Sequence, residues 1–237
     1  MAVEDPHIMS AFDRDLEALQ AHLLRLGSLV ETALMSSVRA LETHDLVAAD
    51  RVVYGDAAVD ELEELIQTEA ASLIARRAPT ASDLRLVLAT MRAATSLERV
   101  GDHAKNVAKR TRIIDRSAPV EGHAGSIRRM AGMAVKMLED AQLALVRKDA
   151  DLAMAVRNRD VDLDQMYNTL FRSLFTYMME SAANISPSMH LHFVAKNVER
   201  AGDHATSIAE QAYYLATGTI PAEPRQKGEA AALPSLG

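Results

Sequence analysis

The stretch LERVGDHA, residues 97–104, recurs as VERAGDHA at residues 198–205. Both copies share Glu-Arg-x-Gly-Asp-His-Ala, and their starting positions, 97 and 198, lie 101 residues apart in a chain of 237 residues. Self-similarity at a fixed separation is the signature of a repeated structural unit. We therefore predict two similar halves, each with one copy at the same structural position.

The repeat extends beyond this motif. An offset of 104 residues aligns the first parts of the two halves, and the offset falls to 101 at the turn between the second and third helices, where changes of loop length are tolerated. The aligned pairs are Leu34 with Leu138, Leu41 with Leu145, Asp56 with Asp160, and Asp60 with Asp164.

Long amphipathic helices are indicated throughout the chain, because apolar residues recur at spacings of three and four. Aromatic residues make up only 4% of the chain, which also favours helices over strands. We predict helices near 12–43, 44–77, 82–114, 123–147, 150–179 and 188–217. The fold class is all-α, with two tandem up-down-up three-helix bundles that pack like spectrin repeats.

A segment with proline and glycine, residues 117–122, separates the two halves and is typical of a joint. We accordingly place the first bundle at residues 1–116 and the second at 117–218. The remaining residues, 219–237, are rich in proline, alanine and polar residues, and we expect them to be disordered.

Composition excludes several function classes. The net charge of −7 argues against a general nucleic-acid binder, which needs a basic face. Cysteine is absent, which excludes disulfides, thiolate metal sites and cysteine nucleophiles. No stretch reaches 18 uninterrupted apolar residues, and the first residues lack a basic segment followed by an apolar one. We expect an unexported cytoplasmic protein.

Acidic residues four apart form the candidate binding sites. This spacing places two carboxylates on one helix face, where like charges repel by a few tenths of a kcal/mol, and a bound cation would offset the repulsion. A solvated helix face is the ordinary alternative for such pairs. The pairs occur at matching positions of both halves: Asp56 and Asp60, Glu98 and Asp102, Asp160 and Asp164, and Glu199 and Asp203.

A helical projection predicts where these acids lie. Glu98 and Asp102 fall opposite the apolar side of their helix, and Asp56 and Asp60 flank an apolar stripe. We therefore expect a surface acidic patch along the seam between helices of each bundle. Carboxylates favour magnesium, manganese, calcium or oxidised iron, with zinc an option if a histidine joins.

The other residues of the repeated motif are expected to be structural. We predict that His103 and His204 form hydrogen bonds across the bundle rather than bind metal. Gly101 and Gly202 each cost a helix up to about 1 kcal/mol, so their repetition indicates close approach of a neighbouring helix or a ligand. Arg99, like Arg200, is expected to pair with nearby acids or to form a docking surface.

Enzyme signatures are missing from the sequence. It has no glycine-rich phosphate loop and no Gly-x-Ser-x-Gly, and its one Glu-x-x-His, from Glu4 to His7, contains a proline. We therefore expect no enzymatic activity. Two alternatives stay open, a metal-dependent hydrolase and a purely structural helical bundle without ligand.

Several segments of the sequence resemble the PhoU family of phosphate-transport regulators. The resemblance covers nearly the whole chain: LGxxVE at 26–31, APxxxDLR at 78–85, both copies of the repeated motif, and the closing IAE at 208–210 with YLxxG at 214–218. The family is built from two three-helix bundles, which agrees with the architecture that the repeat predicts.

The resemblance implies a cytoplasmic negative regulator of phosphate uptake and of the phosphate-starvation response. Such a regulator acts between the ATPase of the phosphate ABC transporter and a membrane sensor histidine kinase, and it reaches the membrane through these partners. A homodimer is a possible assembly. Family members bind iron or zinc clusters on Glu/Asp-x-x-x-Asp motifs, which all four acid pairs match; manganese and magnesium are further candidates. Asn106 becomes Ser207 in the second copy, and Ala78-Pro79 is not repeated, so the two sites are expected to differ in affinity or metal.

Overall fold

The computed structural model describes residues 6–115 and 122–222, with side chains from residue 11 onward. These residues form six α-helices and no strand, which confirms the all-α prediction. A short 3-10 helix, Ala182–Asn184, joins the fifth helix to the sixth. The helices are α1 (Pro6–Thr43), α2 (Leu46–Arg77), α3 (Ala81–Ile114), α4 (His123–Arg147), α5 (Ala150–Glu180) and α6 (Ile185–Thr217).

Equivalent aspartates begin the second helix of each half. The Asp45 side chain accepts a hydrogen bond from the Ala48 N–H at 2.9 Å, and the Asp149 side chain accepts one from the Leu152 N–H at 2.9 Å. These side chains satisfy backbone donors that have no partner within the helix. The predicted helix boundaries hold within three residues, except that α1 begins six residues earlier, at Pro6 instead of 12.

Each half forms a bundle in which all three helices contact one another. The predicted apolar stripes of α1 and α2 face its interior, except that Leu16 is only half-buried. Burial of such stripes supplies most of the stability of a helical domain. The buried stripe residues are Leu19, Leu23, Leu26, Val30, Leu34, Val38 and Leu41 of α1, and Val52, Val59, Leu62, Ile66, Ala70 and Leu73 of α2.

The two bundles pack against each other through equivalent helices, α1 with α4 and α3 with α6. Along α3 and α6, Arg92 contacts Gln211 whereas Arg110 contacts His190, so these helices are antiparallel. Helices α2 and α5 lie outside, and buried residues of both halves form one continuous hydrophobic core.

The predicted division of the chain remains a prediction, since its boundary between residues 116 and 117 lies outside the described residues. Of the segment expected to be disordered, residues 219–222 follow α6 without forming a helix, and residues 223–237 also lie outside the described part.

A glycine in α1 allows the contact between α1 and α4. A Cβ atom at Gly27 would overlap the carboxamide of Gln142, which fills the space beside the glycine. The Gln142 Nε2 donates to Glu31 Oε1 at 2.7 Å. Burial raises the pKa of Glu31, and the hydrogen bond from Gln142 partly lowers it. The contact thus joins the two halves through a partly buried polar pair.

Candidate functional site: two carboxylate clusters

The eight predicted acids form one cluster in each half. The first cluster consists of Asp56 and Asp60 on α2 with Glu98 and Asp102 on α3. The second cluster consists of Asp160 and Asp164 on α5 with Glu199 and Asp203 on α6. Electrostatic interactions link acids of the two helices in each bundle, Asp60 with Asp102 in the first and Glu199 with Asp164 in the second.

A glycine of the repeated motif sets the approach of the helices at each cluster. A Cβ atom at Gly101 would lie 3.0 Å from Val59 Cγ1 and 3.6 Å from Asp56 Oδ1. At Gly202 it would overlap Leu163 and lie 3.7 Å from Asp160 Oδ1. The prediction that these glycines mark a close approach of a neighbouring helix is confirmed.

Four of the eight acids are buried, so the prediction of a surface patch is wrong for them. The exposed fraction is 5% for Asp56, 1% for Asp160, 9% for Asp164 and 8% for Glu199. Asp60 is exposed, and Glu98, Asp102 and Asp203 are half-buried. A projection of one helix cannot show that an adjacent helix covers its flank. Each cluster therefore combines buried carboxylates with more exposed ones.

The acids of the first cluster interact with one another. Partial desolvation raises the pKa of Asp60, and the negative charges of Asp56 and Asp102 raise it further. Burial likewise raises the pKa of Glu98, with a further contribution from Asp102. Crowded carboxylates favour any cation that reduces their repulsion.

Two basic side chains of α3 form ion pairs with acids of the first cluster. Lys105 forms an ion pair with the buried Asp56, and this hydrogen bond raises the pKa of the lysine. Arg99 lies 3.4 Å from both Glu98 and Asp102, which confirms its expected role as a partner of nearby acids.

The second cluster centres on Glu199. Burial raises the pKa of Glu199, the hydrogen bond from Lys196 lowers it, and Asp203 and Asp164 raise it. Lys196 Nζ lies 2.7 Å from Glu199 Oε1 and 5.1 Å from the ring centroid of Tyr167. Among the described residues, the buried Oε2 of Glu199 has no hydrogen-bond partner. A buried acceptor of this kind is costly unless it gains a donor or a cation.

Each cluster contains one ion pair with a lysine, and the two lysines come from different repeat positions. With the 101-residue offset, Lys105 aligns with Thr206, and Lys196 aligns with Thr95. Our sequence analysis did not single out either lysine. The available signal was spacing, since Lys105 follows Asp102 by three residues and Lys196 precedes Glu199 by three.

The donor chemistry of both clusters suits a hard cation, because carboxylate oxygens are the preferred ligands of magnesium, calcium, manganese and ferric iron. The unpartnered Glu199 Oε2 is the observation that favours such an ion. Within residues 6–115 and 122–222, however, no three histidine or acidic side chains converge as a ready coordination shell. A bound ion therefore requires rearrangement of these side chains.

The motif histidines contact each other between the bundles. His103 Nδ1 lies 3.0 Å from Asn197 Oδ1 on α6, and the His103 ring faces that of His204. Burial lowers the pKa of both histidines. The prediction that His103 forms a hydrogen bond across the helices is confirmed.

The fold defines a class of all-α proteins built from two repeated three-helix bundles. The PhoU domain model matches residues 23–111 and 127–212, one match in each half. The chain belongs to the PhoU family.

Named relatives match most of the chain. A protein of Rhizobium meliloti, named phosphate-specific transport system accessory protein PhoU homolog, is 43% identical over 94% of both chains. A Xylella fastidiosa homolog with the same name is 41% identical over 93% of this chain and 91% of its own.

Solved structures share the fold. PhoU from Pseudomonas aeruginosa superposes with a TM-score of 0.84, at 37% identity, over 88% of this chain and 100% of its own. The phosphate transport system regulatory protein PhoU from Streptococcus pneumoniae superposes with a TM-score of 0.81, at 28% identity, over 89% of this chain and 99% of its own. None of the helices in the described part of this chain has the length and hydropathy that a membrane crossing needs.

Proposed function

We propose that the protein is a regulatory accessory protein of phosphate transport. The observation that carries the proposal is the family match in both halves, together with relatives named as accessory proteins of phosphate-specific transport. A regulator needs surfaces for partners rather than a reaction centre, and the sequence lacks the nucleophile motifs of common hydrolases.

In finer detail, we propose a non-enzymatic cytoplasmic adaptor that represses phosphate uptake and the phosphate-starvation response. It binds the ATPase of the phosphate ABC transporter and a phosphate-sensing histidine kinase, and reaches the membrane through them. A homodimer is part of this proposal. The net charge of −7 supports protein partners rather than nucleic acid.

We further propose that the carboxylate clusters bind iron, zinc, manganese or magnesium. Asp56, Asp60, Glu98 and Asp102 would hold an ion in the first half. Asp160, Asp164, Glu199 and Asp203 would hold one in the second. An ion there would replace the charge that Lys105 and Lys196 supply, and the different lysine positions favour unequal affinities.

Co-purification from membranes tests the adaptor function. Tagged protein expressed at high phosphate should recover the transporter ATPase and the sensor kinase, identified by mass spectrometry. Recovery of neither partner at high phosphate would contradict the adaptor role. Hydrolysis of phosphate esters by purified protein with metal, if lost on Asp102→Ala, would instead favour the hydrolase.

Elemental analysis tests the metal proposal without an activity assay. Protein purified without chelator is compared with an Asp60→Ala, Asp102→Ala double variant, which should lose the metal of the first cluster. The matched control removes two exposed acids from α2, by Glu61→Ala and Glu64→Ala. Equal metal content in all three proteins would contradict the site assignment, and absence of metal from all three would favour a structural bundle without ligand.

A further inference from the structure

A second concave site lies on the N-terminal side of the motif along α3, where the two halves meet. It is a cleft of about 520 Å³ between α3, α5, the end of α6 and the residues after α6. Its lining includes Arg85 and Arg92 of α3, Arg157 of α5, and Glu210 and Tyr214 of α6. We call it the arginine cleft. None of its lining residues belongs to either carboxylate cluster.

The charge of the arginine cleft is positive in a protein of negative net charge. Three arginines and one acid, Glu210, line the cleft, so its lining has a net charge of +2. Arg85 and Arg92 lie seven residues apart, which places them two turns apart on one face of α3. Guanidinium groups bind carboxylates and phosphates through paired hydrogen bonds.

Two of the three guanidinium groups are held in position by α6. Arg157 is only 8% exposed, and its Nε lies 3.4 Å from Glu210 Oε1. Arg92 Nη1 lies 3.3 Å from Gln211 Oε1. Positioning before binding reduces the entropy that ordering would cost, so it favours ligand binding.

The rest of the arginine cleft is apolar. Leu88 and Ala89 of α3 line it beside Tyr214, and Ile220 and Pro221 form the side beyond α6. Leu88 is 41% exposed and Ile220 is 76% exposed. Small-molecule sites combine such walls with a few charged groups that fix the orientation of the ligand.

We propose that the arginine cleft binds an organic phosphate, a molecule with a multiply charged phosphate group on an aromatic or apolar body, as in a nucleotide. The phosphate lies against the three guanidinium groups and balances their excess charge, while the body packs on Leu88, Tyr214 and Pro221. Because the lining comes from both halves, the ligand strengthens their contact. This site goes beyond the proposed function and does not depend on it.

Calorimetric titration of the full chain tests the proposal, with ATP as the probe and EDTA present so that the carboxylate clusters hold no metal. We expect ATP to bind with a Kd below about 1 mM, a range accessible to calorimetry. Inorganic phosphate and adenosine, each carrying half of the ligand chemistry, should bind at least about tenfold more weakly than ATP.

An Arg85→Met, Arg92→Met variant should weaken ATP binding at least about tenfold, since each lost charge-assisted contact contributes more than 1 kcal/mol. The control variant removes two exposed arginines elsewhere, by Arg14→Met and Arg172→Met, and should bind ATP as the wild type does. Thermal unfolding checks that both variants fold. If the cleft variant is unfolded, Arg85→Met alone is used with the same expectation.

Three results would overturn the proposal: no ATP binding, equal affinity for ATP and inorganic phosphate, or unchanged ATP affinity in the folded cleft variant. Equal affinity for adenosine and ATP would likewise exclude recognition by the arginines.

Discussion

The imidazole rings of His103 and His204, equivalent residues of the two repeats, face each other with their centroids 5.5 Å apart and their planes at 36°. Burial lowers the pKa of His204 to about 4, and the neighbouring His103 contributes to the shift. Burial also lowers the pKa of His103, although its bond to Asn197 opposes this. At neutral pH both rings are uncharged, which lets α3 and α6 pack closely.

Acidification should therefore destabilise the folded protein, because His204 binds a proton less readily when it is buried. The imidazole of His204 gains a proton near pH 6.5 in the unfolded chain and near pH 4 in the folded chain. The contribution of the neutral ring to the free energy of unfolding is therefore complete above pH 6.5 and is lost as pH falls towards 4. We expect a loss of about 2 kcal/mol, after allowance for partial solvent contact. Urea unfolding at several pH values should show a shallower decline in His204→Phe. Identical slopes would contradict the prediction.

Loss of Lys105 should leave a buried charge without its partner. Asp56 has 4% of its side chain exposed, so Lys105→Met is expected to lower the free energy of unfolding by about 1 to 3 kcal/mol. Chemical denaturation measures this, with the exposed Lys109→Met on the same helix as the control. Adding Asp56→Asn should restore most of the loss. A Lys105 variant as stable as the control would show that the pair is not coupled.

A methyl group at the motif glycines should be tolerated unequally. Gly202→Ala is expected to lose about 1 to 3 kcal/mol because its Cβ would overlap the buried Leu163. The loss for Gly101→Ala should be smaller, since its nearest contact would be 3.0 Å. Gly132→Ala, which meets nothing within 4 Å, should instead gain up to about 1 kcal/mol. Thermal unfolding measures these changes, and equal stability of Gly202→Ala and Gly132→Ala would contradict this ranking.

Replacement of Gln142 by leucine should change the pH dependence of stability. Burial raises the pKa of Glu31 and Gln142 opposes this, so Gln142→Leu raises that pKa further. A carboxyl with a raised pKa binds its proton more strongly when folded, so stability falls as pH rises through 4.5 towards 7. The free energy of unfolding should fall more steeply with pH in Gln142→Leu than in the control Gln165→Leu, which changes an exposed residue. Urea unfolding at each pH measures this. Parallel curves would contradict the prediction.

The helices and their buried faces could be predicted because the signals are local. The stripe from Leu19 to Leu41 follows the helical period, and the repeat places a second bundle after the first. The interaction of Glu98 with Asp60 also followed from their repeated positions.

Burial of the acids could not be predicted, because it depends on which neighbouring helix covers each flank. The spacing places Asp56 beside the apolar stripe of α2, and its burial follows from the close approach of α3 at Gly101. The role of Lys105 also depends on a tertiary contact, its ion pair with Asp56 on α2, whereas Lys196 pairs locally with Glu199. Metal binding by the clusters stays a prediction.

The pairing of α1 with α4 and of α3 with α6 joins each helix to its own counterpart. Self-complementary contact of this kind is isologous, the geometry that relates two subunits about a two-fold axis. The chain is thus a tethered pseudo-dimer of one three-helix unit, whose two copies have acquired different lysines. A fragment that contains α1, α2 and α3 alone should therefore self-associate, and ultracentrifugation should find it as a dimer.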